Sequence, residues 1–223
     1  MALRALIYQW LKVDSYEAWV RRDLVMNLPR GLCLGVALWF GLKSWKLPDL
    51  GLHWRGLGIA FVFLFIELLA KGLIGGLKEG PAFQDNEFLY LTIGSITVGF
   101  FEEILFRGVL FNSLRDWMGA RTAIFGSSFL FMFFHWQAQD LASWPFLFLF
   151  GCLNAGLRQC GVSVLALAVT HAIFDTLYFC FKEIAPGSFA YFGYNIFYLL
   201  LALGFFYFNT VSGNLKSSAA RTN

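Results

Sequence analysis

The sequence predicts an all-α protein that takes a lipid bilayer as its solvent, a polytopic transmembrane bundle of about seven spans. Three observations carry that prediction. The 223 residues are 58% hydrophobic and 14% charged, whereas soluble domains carry roughly 25% charged residues. A core of this size cannot hide so much apolar surface from water. The apolar residues also run continuously over helix-spanning lengths, without the short alternating strands of a membrane barrel. Finally, the chain holds 27 Phe, 8 Trp and 8 Tyr, and Trp and Tyr rings suit the membrane–water boundary.

Residues 1–23 mix Arg4, Lys12, Arg21 and Arg22 with Trp10, Trp19 and leucines, which reads as an amphipathic helix on the membrane surface. Their mixed charge does not fit a cleavable signal peptide. The single transmembrane domain covers 24–209, with apolar segments near 24–42, 56–77, 88–114, 119–138, 144–159, 161–181 and 189–209. The third exceeds one crossing, so a break or tilt is expected near Gly94 or Gly99. Gly31-x-x-x-Gly35 and Gly72-x-x-x-Gly76 offer small faces for close helix packing. Residues 210–223 form a polar tail, read as disordered. Lys and Arg divide almost evenly between the two faces, so orientation stays open. A net charge of +3 is too small and scattered for nucleic acid. Cys33, Cys152, Cys160 and Cys180 lie in apolar stretches without a CxxC pair and read as inert thiols.

Ionisable groups inside spans mark the chemistry, because each central one costs about 2.5–3.5 kcal/mol to insert. The span 88–114 carries Glu102, Glu103 and Arg107. Glu103 and Arg107 are four apart and pair along one helix face, shaping the site. Glu102 lies about 100° around the helix and is left as the working carboxylate. Span 119–138 carries His135, and span 161–181 carries His171 and Asp175 on one face. His53 sits in a loop and needs only an interfacial role. Glu67 and Lys71 share the i, i+4 spacing and read as a structural pair, and Asn154 reads as glue between helices.

Glu102-Glu103-x-x-x-Arg107, then Phe131-x-x-x-His135, then His171-x-x-x-Asp175 resemble the motifs of the CAAX-protease and bacteriocin-processing intramembrane proteases, which include the Rce1-type prenyl-protein endopeptidases. The resemblance covers about residues 90–182, with Gly151 and Arg158 before the last motif. It implies that Glu102 and His135 activate water and that His171 and residue 175 stabilise the oxyanion. The family often has Asn where this chain has Asp175. An ionised Asp cannot donate a hydrogen bond, so Asp175 must be protonated, orient His171 or bind a metal.

The expected activity is therefore a membrane-embedded endopeptidase of the glutamate type, hydrolysing a membrane-anchored protein or peptide: a CAAX-like, leader or C-terminal sorting tail. No cofactor is favoured. Zinc on Glu102, His135 and His171 is the metal alternative, although the His-Glu-x-x-His pairing of common zinc proteases is absent. The expected location is a prokaryotic cytoplasmic membrane. Two other classes remain: a non-catalytic immunity or scaffold protein, which Glu102→Gln would spare, and a proton-coupled transporter, which would string its charges across the bundle.

Overall fold

Continuous apolar runs without β-branched alternation fold here as helices. The computed structural model describes residues 16–79, 87–136, 141–178, 180–185 and 187–219. Most of the expected surface segment, residues 1–15, lies outside the described residues, as do 80–86, 137–140 and 220–223. The helices are α1 (Tyr16–Ser44), α2 (Leu57–Gly75), α3 (Glu87–Glu103), a π-helix (Ile104–Leu110), α4 (Phe111–Met118), α5 (Ala120–Phe134), α6 (Trp144–Gln159), α7 (Val164–Tyr178) and α8 (Phe189–Ala219). The π-helix joins α3 to α4 as one rod, so the seven expected segments reappear as seven rods among the described residues. The backbone of 210–219 continues α8 as helix, where the polar composition had suggested disorder. Helix propagation adds one hydrogen bond per residue fixed and needs no further nucleation.

The outside of the bundle is apolar and its inside holds charge. Leu28, Leu32, Phe65, Leu73 and Leu200 are exposed, while Glu67, Glu102, Glu103, Arg107 and Arg158 are buried. Water would favour the reverse arrangement, and lipid favours this one. Val25–Ser44 and Leu57–Gly75 are long and apolar enough to cross a membrane. The segments expected at 119–138 and 161–181 form helices of only 15 residues each. At a rise of 1.5 Å per residue each is about 22 Å long, short of a hydrocarbon core of about 30 Å. Such helices fit if the bilayer thins around them.

The centre of the bundle is the contact of α3 with α7, flanked by α5 against α6. Gly99 makes the first contact possible: a Cβ there would stand 2.8 Å from the Ala168 carbonyl oxygen and 3.0 Å from the Ala172 nitrogen. Gly151 does the same on α6, where a Cβ would meet Ser128 at 3.0 Å. The sequence motifs assigned close packing elsewhere. A Cβ on Gly31 or Gly35 would meet nothing within 4 Å, and Gly72 faces the Phe181 ring. Those glycines therefore bring no two helices together.

The expected irregularity is present, but at Ile104–Leu110, not at Gly94 or Gly99. Gly99 serves the α3–α7 contact and leaves the helix regular. A π-turn widens the helix and frees backbone groups from the regular ladder. Here the Arg107 carbonyl accepts from Arg158 Nε at 3.3 Å. Arg158 Nη2 also donates to the Asp49 carbonyl at 2.7 Å, which Asn112 Nδ2 reaches at 2.8 Å. These bonds fasten the 45–56 loop beneath the π-turn. At the opposite end, an isolated bridge between Leu77 and Phe181 ties the end of α2 to the chain after α7.

Candidate active site

Two carboxylates leave α3 just before the π-turn. Both are buried, Glu102 at 4% exposure and Glu103 at 0%, so both need partners or a function. Glu103 Oε1 lies 3.3 Å from Arg107 Nη1, the pairing expected from spacing. The Arg107 guanidinium also stacks 4.3 Å from the Phe131 ring centroid and reaches the Gly151 carbonyl at 3.4 Å. Arg107 is thus held by three elements and fixes Glu103 in turn. Glu102 points the other way. Its Oε2 is buried and has no hydrogen-bond partner among the described residues.

His135 caps the end of α5. Its Nδ1 lies 2.9 Å from the Phe131 carbonyl oxygen. A carbonyl only accepts, so Nδ1 carries a proton and Nε2 is turned to the site. Nε2 meets Glu102 Oε1 at 3.4 Å. Two lone pairs cannot face each other favourably at that distance. A proton, or a water donating to both, belongs between Glu102 and His135.

His171, on α7, is buried at 6% exposure. Its Nδ1 lies 2.9 Å from Glu103 Oε1. Its Nε2 faces Asp175 Oδ2 at 3.5 Å and Glu102 Oε2 at 3.9 Å. Glu103 accepts from Arg107 and so is the ionised partner, which makes His171 Nδ1 the donor. With acceptors on both sides, the ring is suited to carry protons on both nitrogens. The group standing behind His171 is therefore Glu103. Asp175, for which orienting His171 was one of three expected roles, is half-buried and sits on the same side of the ring as Glu102.

Glu102, His135, His171 and Asp175 line one cavity of about 600 Å³, walled by Phe131, Phe150 and Phe174. The Phe150 ring centroid is 5.1 Å from that of His171, edge to face. Among the described residues, no three His, Cys, Asp or Glu side chains converge as a metal site requires. Glu67 and Lys71 do not pair. Glu67 is within hydrogen-bonding reach of Tyr198, and Lys71 Nζ stands 3.4 Å from the Tyr178 ring centroid. Their equal spacing along α2 hides that each is claimed by a different helix. His53 stays in the loop, its Nδ1 accepting from the Arg55 backbone N–H at 3.1 Å.

Residues 84–177 match the family model described as type II CAAX prenyl endopeptidase Rce1-like. Over that stretch the chain is similar to the Rce1-like family. That family is one of membrane-embedded endopeptidases. No curated protein sequence matches the chain. The matched stretch runs from just before α3 to the end of α7, so it contains every residue of the Glu102–His135–His171–Asp175 group. Two features of this site were not found in the sequence. The Glu103–His171 bond joins residues 68 apart, which no local periodicity encodes. Lys71 lines the cavity from α2, outside the matched stretch.

Proposed function

We propose that this Rce1-like protein is an intramembrane endopeptidase that hydrolyses a membrane-anchored protein or peptide with water activated by Glu102. The observation that carries the proposal is the Oε2 of Glu102, buried between two histidines at the wall of the cavity and without a hydrogen-bond partner among the described residues. A buried carboxylate with a free lone pair is a general base for a water placed against it. Glu102 takes one water proton while the His135 imidazole holds the carboxylate in place. The water oxygen bonds to the scissile carbonyl carbon, and the carbonyl electron pair moves onto oxygen. The His171 Nε2–H donates to that oxyanion, and its preorganised charge favours the tetrahedral state over the planar one. Glu102 then passes its proton to the amide nitrogen as the C–N bond breaks, releasing an amine and a carboxylic acid.

In this scheme Glu103 and Arg107 are positioning residues. Glu103 holds Nδ1 of His171 and Arg107 holds Glu103. Asp175, beside Nε2, is the polar neighbour of the oxyanion position that His171 serves. A glutamate on zinc would act differently, since the ion itself would acidify the water to a pKa near ~7.

The test is hydrolysis by the full chain reconstituted in vesicles with a membrane-anchored peptide bearing a CAAX-like tail, read by mass spectrometry with elemental analysis of the same preparation. One peptide bond should be cut, with turnover unchanged by chelators. One tightly bound zinc per chain, whose removal stops cleavage, would replace the glutamate mechanism with a metal one. Intact peptide, together with unchanged membrane function of Glu102→Gln, would favour a scaffold.

A further inference from the structure

Gly151 and Arg158 belong to the sequence pattern, but the hydrolytic scheme gives neither a task. They stand seven residues apart on α6, about two turns along one face. Both reach Arg107. The Gly151 carbonyl accepts from Arg107 Nη2 at 3.4 Å, and Arg158 Nε donates to the Arg107 carbonyl at 3.3 Å. Helix α6 therefore grips this arginine at its guanidinium and at its backbone. Arg158 is buried, and it is not among the residues that line the cavity. Burying a guanidinium is costly unless its donors are paired. Here they go to backbone, since Nη2 also donates to the Asp49 carbonyl at 2.7 Å. Gly51, at φ +81°, lets the 45–56 loop close over the side chain: a Cβ there would stand 3.0 Å from Arg158 Cζ. From Arg107 the contacts run inward. Its Nη1 lies 3.3 Å from Glu103 Oε1, and the same oxygen lies 2.9 Å from His171 Nδ1. Arg158, Arg107, Glu103 and His171 thus form one chain of contacts, which ends on the ring whose Nε2 faces Asp175 and Glu102.

We propose that Arg158 is a positioning residue for the hydrolysis: by pinning the Arg107 backbone in the π-turn it sets, through Glu103, the direction in which His171 presents Nε2. Its effect on rate rests on the hydrolytic reading above, whereas its effect on His171 does not. The π-turn is a rare winding, and Arg107 sits in its middle. On the far side the turn is met by the loop, where a Cβ on Gly108 would stand 3.3 Å from the Leu50 carbonyl oxygen. Arg158 joins the two. Without its fork the turn loses its tie to α6 at the backbone, and Arg107 can shift with it. Two short contacts pass that shift to His171. A displacement of about 1 Å at a catalytic group costs about a hundredfold in rate. Asn112 provides the comparison. It lies in the same buried patch and donates to the same Asp49 carbonyl at 2.8 Å, so it holds the loop without holding the Arg107 carbonyl.

The test compares Arg158→Met, Arg158→Lys and Asn112→Leu with wild type, each as the full chain reconstituted in vesicles and shown to be folded by circular dichroism. Cleavage of one membrane-anchored peptide gives kcat and KM separately. Nitrogen NMR of chains labelled at histidine reads the His171 ring directly, because the chain holds only three histidines and the His171 signals are those lost in His171→Gln. Arg158→Met should lower kcat by about a hundredfold with KM nearly unchanged, and should move the His171 Nδ1 signal. Arg158→Lys keeps the charge and one donor group without the fork, so both effects should be smaller. Asn112→Leu should lower the unfolding temperature and leave kcat and the His171 signals in place. In a Glu103→Gln chain, Arg158→Met should add little further loss of kcat, because residues that act through one another are not additive. A folded Arg158→Met or Arg158→Lys chain with the wild-type kcat and an unmoved His171 signal overturns the proposal. So does a loss of kcat that Asn112→Leu reproduces in full, or one of equal size with and without Glu103. The two readings fail separately: a His171 signal that depends on Arg158 in a chain that cleaves nothing removes the protease and keeps the positioning, whereas cleavage indifferent to Arg158 removes the positioning alone.

Discussion

Glu103 takes two partners through one oxygen, Arg107 at 3.3 Å and His171 at 2.9 Å. Its removal therefore does two things at once, and this separates it from Glu102 next door. Glu103→Gln leaves Arg107 unpaired at 0% exposure, a situation that costs about 3–5 kcal/mol, and also frees His171 to rotate. Thermal unfolding in detergent should fall clearly, and the remaining folded fraction should cleave slowly. Glu102→Gln keeps the shape and loses only the longer contacts to His135 at 3.4 Å and His171 at 3.9 Å, so its unfolding temperature should stay near wild type while cleavage stops. Equal unfolding temperatures for the two variants would contradict this division. Asp175 offers a finer test, since it flanks Nε2 of His171 and not Nδ1. Asp175→Asn keeps a polar neighbour that can itself donate to the oxyanion and should retain much of the activity. Asp175→Ala should lose most of it, measured as kcat with KM followed separately. The sequence pointed to these five residues and to His135 because ionisable groups stand out in apolar spans and because i, i+4 spacing reveals local partners. It paired Glu103 with Arg107 correctly for that reason. It could not assign Glu103 to His171, because that bond depends on how α3 lies against α7.

At the scale of helices, Gly99 and the π-turn together set where the two glutamates stand. Gly99 lets α3 approach α7 until a Cβ would overlap the Ala168 carbonyl. The π-turn then begins at Ile104, immediately after both carboxylates have been delivered to the interface. Gly99→Ala should push the helices apart, costing about 1–3 kcal/mol as an overpacked contact and slowing cleavage through the Glu103–His171 distance. Gly58→Ala is the matched control, since nothing lies within 4 Å of a Cβ there. It should leave unfolding unchanged or raise it by up to about 1 kcal/mol through helix propensity. The same loss from both changes would mean that Gly99 holds no special contact. The helices themselves were legible as apolar runs, with edges shifted by a few residues. The position of the irregularity was not. A glycine inside a long span suggests a break, yet a glycine pressed on a neighbouring backbone looks identical in sequence. Likewise Glu67 and Lys71 have the spacing of an ion pair, and only the placement of α7 and α8 shows that Tyr178 and Tyr198 separate them.

The molecule as a whole places apolar side chains outward and charge inward, which only a lipid solvent rewards. Phe65 stands exposed in the middle of α2. Phe65→Asp should reduce the amount recovered in the membrane fraction, because a carboxylate there costs about 2.5–3.5 kcal/mol on insertion. Undiminished recovery would mean that this face of α2 meets water. Within that apolar shell, ionisable side chains from four helices line one cavity: α2 brings Lys71, α3 brings Glu102, α5 ends on His135, and α7 brings His171 and Asp175. The account stands on Glu102 being the base that makes water a nucleophile there. Its most direct test is the cleavage rate of the Glu102→Gln chain, shown to be folded and reconstituted beside wild type, on one membrane-anchored peptide. A rate at least about a hundredfold below wild type is predicted, the scale of a lost general base. A folded Glu102→Gln chain that cleaves as fast as wild type would contradict it.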